Sequence, residues 1–317
     1  MKRNSNIGTI ISKEFKRFFG DRTLVFTAVI MPGLLIYIIY TLMGTFMTDK
    51  IASDLEASQP QTEFVSPLTP EDEALLDSLQ AIRDGAYAAY LAEEGPDESE
   101  ELGKILGNLI PMLIIMLLYS GCMAVAPSSI AGEKERGTIA TLLVTPMRRS
   151  ELAIGKIVSL SCFALLSGLS SFLGIILSLP KMLQMDGEGV SIEGGLYSLS
   201  DYLLIFLLIL STVLVLISLI SLFSAWAKDV KTAGTMITPL MLFIMMAGLT
   251  PLISNATNSA LYLIPIYNSA QSMASVFSFN VELAPLLVTI ASNLAYTGLA
   301  VWVLTKMFNS EKIMFTK

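Results

Sequence analysis

Long charge-free stretches divide this chain into blocks of membrane-crossing length. A helix needs about 20 predominantly apolar residues to cross the hydrocarbon core of a bilayer. Five stretches between consecutive charged residues each have the length of one crossing; they comprise residues 23–48, 105–132, 157–180, 202–227 and 283–305. The pattern therefore predicts at least five transmembrane helices.

The sixth charge-free stretch, residues 232–281, is long enough for two crossings. Its first part, 232–249, is apolar enough to span, whereas 250–281 is rich in Ser, Thr and Asn and contains the helix breakers Pro251 and Pro265. Broken backbone is tolerated at membrane depth only where protein or a water-filled cavity covers it. We therefore predict one crossing over 232–249, followed by a re-entrant or extracellular helical hairpin.

The distribution of charge supports six crossings with both termini in the cytoplasm. Lys and Arg concentrate on the cytoplasmic side of membrane proteins. With six crossings, that side holds 16 of the 20 basic residues but only 7 of the 27 acidic ones. A seventh crossing would move the basic C-terminal segment to the outside. The chain is thus predicted to be an all-α integral membrane protein with six transmembrane helices.

The predicted segments alternate between the two sides of the membrane. We call residues 132–151, between the second and third spans, the docking loop. In chain order the segments are a cytoplasmic amphipathic helix at 1–22, the first span at 23–48, an acidic extracellular insert at 49–104, the second span at 105–131, the docking loop, the third span at 152–180, an extracellular loop at 181–201, the fourth span at 202–227, a cytoplasmic turn at 228–231, the fifth span at 232–249, the hairpin at 250–282, the sixth span at 283–305 and a cytoplasmic tail at 306–317.

The composition excludes several classes of soluble enzyme. Hydrophobic residues make up 53% of the 317 residues and charged residues only 15%, against about 25% in a typical soluble domain. The chain contains no His, which excludes His-based triads, His general bases and His-ligated zinc or haem. The two Cys residues lie in apolar blocks and are too few for a thiolate metal site. No metal site is expected.

The N-terminal segment predicts an amphipathic helix ahead of the first span. Its apolar residues recur at intervals of three, four and seven positions, and basic side chains occupy the other face. This pattern is typical of a helix in the cytoplasmic membrane interface; a helix packed on the bundle is the alternative. We expect Gly20 to end the helix and Asp21 to cap the first span, with no cleaved signal peptide. The residues assigned to the interfacial helix are Ile7, Ile11, Phe15, Arg17 and Phe18.

The docking loop combines a charged beginning with an apolar ridge. We expect Glu133 and Glu135 to begin a short helix, where negative charge suits the helix dipole. Leu142 and Leu143 follow as part of the ridge, which Pro146 closes. Such a helix is suited to dock into a groove on a cytoplasmic protein, whereas an ordinary solvated loop would not need the apolar run. The loop has the Gly spacing of a phosphate-binding loop but lacks its Lys, so no nucleotide site is predicted in this chain.

The same loop carries a motif that is found in one transporter family. The motif residues are Glu133, Lys134, Glu135, Arg136, Gly137, Thr138, Leu142, Leu143, Thr145, Pro146, Gly155 and Lys156. With these residues the chain resembles the ABC-2 type transporter permeases, and it looks most like the permeases of the sodium-exporting Nat systems. The order of segments agrees with that family over the whole chain. It departs from the family at Ala140, a position that is often acidic, and in an extracellular insert shorter than in many Nat-type permeases.

The resemblance implies a role, partners and site residues. In the family the docking loop is a coupling helix on a separate ATP-binding subunit, so ATP and Mg²⁺ would bind to that partner and not to this chain. Two permeases, identical or related, and two ATPases would make an exporter in the plasma membrane of a prokaryotic cell. Membrane lipids would surround it, and no nucleic acid would bind. The residues assigned to ATPase coupling are Glu133, Glu135, Arg136, Gly137, Thr138, Leu142, Leu143, Thr145 and Pro146.

The charge-free stretches that predict the crossings leave no charged group within them, which indicates that energy reaches the spans from outside the membrane. Ion-driven carriers generally hold their coupling ion with ionisable groups inside the membrane. Candidates for lining a substrate pathway are therefore uncharged polar residues, although serines in spans often serve helix packing instead. The pathway candidates are Tyr37, Asn108, Asn268, Gln271 and Asn293. The substrate stays open between Na⁺ and a drug, lipid or peptide.

Two other classes of function compete with an exporter. A membrane-embedded hydrolase would need a nucleophile with a base, which a chain without His or an acid inside a span does not supply. A membrane scaffold or sensor that docks a cytoplasmic ATPase without transport would carry the same docking loop. The scaffold is therefore the alternative that experiment has to separate from the transporter.

Overall fold

The computed structural model describes residues 6–58, 98–138, 149–182, 197–253 and 259–310, and every regular element in these ranges is helical. A π-helical turn, Phe26–Ile30, joins the second helix to the third, and a 3-10 turn, Ser259–Leu263, precedes the eighth. The α-helices are α1 (Asn6–Gly20), α2 (Arg22–Val25), α3 (Met31–Ser58), α4 (Glu98–Glu135), α5 (Arg149–Met182), α6 (Leu199–Trp226), α7 (Val230–Ile253), α8 (Tyr267–Phe277) and α9 (Leu283–Asn309).

Six helical segments of the described chain are long and apolar enough to cross a membrane. The first runs from Arg22 to Thr45 through α2, the π turn and part of α3, and the others lie in α4, α5, α6, α7 and α9. The prediction of an all-α protein with six crossings is therefore confirmed. The predicted cap is also present, because Asp21 Oδ1 accepts hydrogen bonds from the backbone N–H groups of Thr23 and Leu24.

Two predictions about charged residues are wrong. Lys156 lies well inside the candidate span Ser150–Ser178, although the crossing was expected to occupy the charge-free stretch 157–180. Glu133 and Glu135 do not begin a helix but lie in the last turn of α4. Both differences have one cause: α4 and α5 continue past the charge-free stretches, because their charged side chains find partners within the protein.

α6 is the most thoroughly buried of the six candidate spans and lies at the centre of the bundle. It packs against α4, α5, α7, α8 and α9. Its hydroxyl groups donate to carbonyl oxygens one turn earlier in the same helix, as Ser221 does to Ile217 and Ser224 to Ile220. The buried hydroxyl groups of α6 are therefore paired within their own helix.

The N-terminal helix α1 packs along the beginning of α5. Phe18 is buried and stacks on Phe163 with 3.8 Å between ring centroids, and Phe15 lies 4.8 Å from the same ring. Gly155 allows Ile10 to come close, because a Cβ at that glycine would lie 2.9 Å from Ile10 Cβ. The apolar stripe thus packs on the bundle, as the alternative interpretation expected. A position in the membrane interface stays a prediction.

In the described part of the segment predicted as a hairpin, one short α-helix, α8, lies between two turns. Nearly all residues of α8 are buried, and the helix packs against α4, α6, α7 and α9. Ile266 and Phe279, which flank it, have φ values of 73° and 57°. Residues with side chains rarely adopt this left-handed backbone, so both turns are held by their surroundings. Entry of α8 into the membrane stays a prediction.

Candidate functional site

A buried cluster of charges joins α1, the end of α4 and the beginning of α5. Lys156 Nζ lies 3.0 Å from Glu14 Oε1 and 2.9 Å from Glu133 Oε2. It also donates a 2.6 Å hydrogen bond to the backbone carbonyl of Ser129. The exposed fractions of Lys156, Glu14 and Glu133 are only 1%, 4% and 3%. One ammonium group therefore bridges two carboxylates from two different helices.

Two further cations from α1 stand at the edge of this cluster. Lys13 Nζ lies 3.3 Å from Glu133 Oε1, and the Arg17 guanidinium donates a 2.8 Å hydrogen bond to the Ser128 carbonyl. Buried charges are strongly unfavourable unless they are paired and hydrogen-bonded. The cluster supplies both kinds of contact, so α1, α4 and α5 are fixed to one another at this end of the bundle.

The next two residues of α4 contact the turn between α6 and α7. Lys134 Nζ donates a 2.9 Å hydrogen bond to the carbonyl of Ala225, in the last turn of α6. Glu135 Oε2 accepts a 3.1 Å hydrogen bond from the backbone N–H of Val230, the first residue of α7. A cation at a helix C-terminus and an anion at a helix N-terminus are each favourable by about 0.3–1 kcal/mol. These placements offset the unfavourable position of acidic residues at the end of α4.

Asp229 completes the start of α7 from within the turn. Its carboxylate accepts a 2.7 Å hydrogen bond from the Thr232 backbone N–H and a 3.1 Å bond from the Thr232 hydroxyl. These hydrogen bonds lower the pKa of Asp229, because they favour its ionised form. The beginning of α7 is therefore capped by Asp229 and also held by Glu135 of α4.

The remaining residues assigned to coupling lie beyond α4 or outside the described residues. Gly137 has a φ of 68°, a backbone that favours glycine, just after the end of α4. Arg136 is exposed, and the Thr138 hydroxyl donates a 3.1 Å hydrogen bond to the Glu133 carbonyl. The predicted coupling residues outside the described part of the chain are Leu142, Leu143, Thr145 and Pro146.

The structure brings two of the predicted pathway residues into direct contact. Asn268 Nδ2 donates to Asn293 Oδ1 at 3.1 Å, and both residues are fully buried. Asn293 Nδ2 in turn donates to the hydroxyls of Ser211 in α6 and Ser269 in α8. These amides therefore satisfy one another and join α8, α9 and α6, and they do not line an open cavity in this conformation.

The other pathway candidates lie apart from this amide pair. Gln271 of α8 contacts Thr250 of α7 and lines a small cavity of about 120 Å³ that Tyr262 and Glu282 also border. Tyr37 in α3 and Asn108 in α4 are half-buried on other helices. The five candidates thus do not form one continuous lining in this conformation.

Sequence reasoning missed several residues of the charged cluster. Glu14 falls in register with the apolar stripe of α1, since it lies seven positions after Ile7 and four before Phe18. An acidic residue on an apolar face signals a buried partner, but its partner Lys156 is 142 positions away in the chain. Among the described residues, no group of three or more Asp, Glu or Cys side chains could hold a metal ion.

Comparison with known proteins identifies similar sequences. The sequence profile described as ABC-2 family transporter protein matches residues 8–308. The ABC transporter permease protein NatB of Bacillus subtilis (strain 168) is 36% identical over 86 residues, which is 27% of this chain and 22% of NatB. The matched region thus spans about a fifth of that relative. No solved structure matches this chain.

Proposed function

Because this chain belongs to the ABC-2 family of transporter proteins, we propose that it is the permease subunit of an exporter that is driven by a separate ATPase. Its six apolar helices make it a multi-pass membrane protein, in which the spans form the path for the substrate. ATP and Mg²⁺ would bind to the partner ATPase. Two permeases, identical or related, would combine with two ATPases in the plasma membrane.

The observation that supports this proposal is the set of contacts that the described beginning of the docking loop makes with the bundle. The loop begins with one helical turn, Glu133–Glu135, whose three side chains contact α1, α5, α6 and α7. A displacement of the loop by an ATPase would therefore act on four other helices at once. Movement between two packed arrangements as a rigid body is a common form of such a switch.

The proposed substrate follows from the family resemblance rather than from a site in the structure. Na⁺ is the first candidate, because the sequence looks most like the Nat-type permeases. A drug, lipid or peptide is the other class, because the spans present mainly apolar side chains. Export is the proposed direction, and both termini would lie in the cytoplasm.

Coexpression with the partner ATPase tests the proposed role of the docking loop. We expect the two proteins to copurify and the complex to hydrolyse ATP in liposomes. Arg136→Glu should lower either assembly or ATP hydrolysis about tenfold, which corresponds to about 1.4 kcal/mol, because Arg136 is an exposed residue of the loop. Lys16→Glu is the matched control, since it reverses an exposed charge on α1 at the same end of the bundle.

The same experiment separates the exporter from its alternatives. If no ABC ATPase copurifies with the unmodified chain, the proposed function is wrong. Equal effects of Arg136→Glu and Lys16→Glu would show that the loop has no special role. A scaffold would bind the ATPase, but ATP hydrolysis in the complex would not respond to any transported solute.

A further inference from the structure

The turn between α6 and α7 is held by hydrogen bonds to a distant part of the chain. Helix ends leave their last carbonyl and first N–H groups without partners in the helix, and neighbouring residues or water usually satisfy them. Here the Ala225 carbonyl accepts from Lys134, 91 positions away, and the Val230 N–H donates to Glu135, 95 positions away. Two consecutive residues of α4 thus hold the two helix ends that meet at this turn.

The helical turn that makes these contacts is itself fixed. Glu133, the residue before Lys134, is buried and paired with Lys156 of α5 and with Lys13 of α1. Lys134 and Glu135 therefore cannot shift relative to α1 and α5 without separating a buried ion pair. A force applied to the docking loop is passed to the α6–α7 turn through two hydrogen bonds.

We propose that Lys134 and Glu135 are positioning residues that make the α6–α7 hairpin follow the docking loop. This inference rests on the proposed function, in which an ATPase moves that loop. The family motif assigns Glu135 to contact with the ATPase, whereas this inference assigns it to a contact within the chain. Glu135 acts through its hydrogen bond to Val230 of the same chain, and Arg136 is left to face the ATPase.

The proposed tasks make different chemical demands on position 135. A hydrogen bond from the Val230 N–H needs only an acceptor oxygen, which the amide of Gln also supplies. An ionic contact with an ATPase needs the negative charge, which Gln lacks. Glu135→Gln should therefore preserve the coupled movement, whereas Glu135→Ala should lose it. In the same way Lys134→Arg keeps a donor for the Ala225 carbonyl and Lys134→Met does not.

Labelling of an introduced cysteine measures whether α7 follows the loop. Ile253→Cys places a thiol at the far end of α7, where Ile253 is 82% exposed, in a chain that also carries Cys122→Ala and Cys162→Ala. The rate of labelling by a water-soluble maleimide is compared without nucleotide and with ATP and vanadate, in complexes matched for bound ATPase. We expect nucleotide to change this rate at least about threefold, and Glu135→Ala and Lys134→Met to abolish most of the change.

The control variants make each outcome decisive. Lys231→Met removes an exposed lysine from the first turn of α7 and should leave the nucleotide-dependent change intact. The inference is overturned if Glu135→Gln is as defective as Glu135→Ala. It is also overturned if nucleotide does not change the labelling rate of the chain that has the native Lys134 and Glu135, or if the change survives in both Glu135→Ala and Lys134→Met. If Glu135→Ala does not fold, the pair Lys134→Arg and Lys134→Met gives the same comparison. A chain that binds no ATPase refutes the proposed function instead.

Discussion

At the scale of residues, Lys156 balances two acidic side chains in a part of the bundle that excludes water. Its ammonium group contacts Glu14 and Glu133, and the Ser129 hydroxyl donates to the second oxygen of Glu14 at 3.1 Å. Lys156 is 1% exposed, so water has no access to solvate the two carboxylates in place of its ammonium group. Removal of one partner from a buried ion pair typically costs about 3–5 kcal/mol, because the remaining charge stays buried.

We therefore predict that Lys156→Met lowers the free energy of unfolding by about 3–5 kcal/mol. Thermal denaturation in detergent measures this loss, with Lys16→Met as a control that removes an exposed lysine from α1. Adding Glu14→Gln to Lys156→Met should recover part of the loss, since it removes one unpaired buried charge. Equal melting temperatures for Lys156→Met and Lys16→Met would contradict the buried ion pair.

The ion pairs of this cluster could not be predicted from the sequence. The family motif includes Glu133 and Lys156, but the periodicity of apolar residues describes one helix at a time and does not show which helices meet. Glu14 and Lys156 meet only because α1 folds back onto α5, which depends on the packing of Phe18 against Phe163. Similarly, the polar character of Asn268 and Asn293 suggested a pathway, whereas their contact with each other satisfies most of that polarity internally.

At the scale of elements, two glycines let α3 and α5 approach each other backbone to backbone. A Cβ added at Gly174 would overlap the carbonyl oxygen of Gly33, and one added at Gly33 would overlap the backbone of Ser170. Small residues at helix contacts permit this close packing in membranes, where apolar burial gives little drive for helices to associate. Gly298 on α9 has no atom within 4 Å of such a Cβ.

One added methyl group should therefore have opposite effects at two glycines. We predict that Gly174→Ala costs about 1–3 kcal/mol through overpacking, because the Gly33 carbonyl belongs to the backbone and cannot rotate away. Gly298→Ala should leave the stability unchanged or slightly raised, since Ala is the better helix former. Melting curves of both variants test this, and a similar loss at both positions would mean that α3 and α5 do not pack in this way.

The number of elements was predictable, and their ends were not. Charge-free length predicts a crossing because unpaired charge is excluded from the bilayer core, and all six predicted spans correspond to helices. The helices nevertheless continue through charged residues wherever other elements supply partners, as α4 does to Glu135 and α5 does across Lys156. Such partners come from tertiary structure, so a pattern along one segment does not reveal them.

At the scale of the whole molecule, α6 connects the charged end of the bundle to the buried polar residues around α8. Its last turn is held by Lys134, and Ser211 in its first half accepts a hydrogen bond from Asn293. Asn293 also contacts Asn268 at the beginning of α8. A shift of α6 that begins at the docking loop would therefore disturb the amide contacts that hold α8 in place.

This connection gives the transporter account its central claim, which does not depend on the identity of the substrate. We propose that binding of ATP by the partner would move the docking loop, and that the movement would reach α8 through α6 and α7. A scaffold that merely holds an ATPase would need no such path. The two accounts differ in which parts of the bundle respond to nucleotide.

Hydrogen exchange of the assembled complex, with and without ATP and vanadate, tests this claim most directly. The account predicts nucleotide-dependent changes in amide exchange in three regions: the docking loop, the turn around Asp229, and α8 from Tyr267 to Phe277. Changes confined to the docking loop and α1, with α8 unaffected, would contradict it. In that case the chain would bind the ATPase, but nucleotide binding would not change the structure around α8.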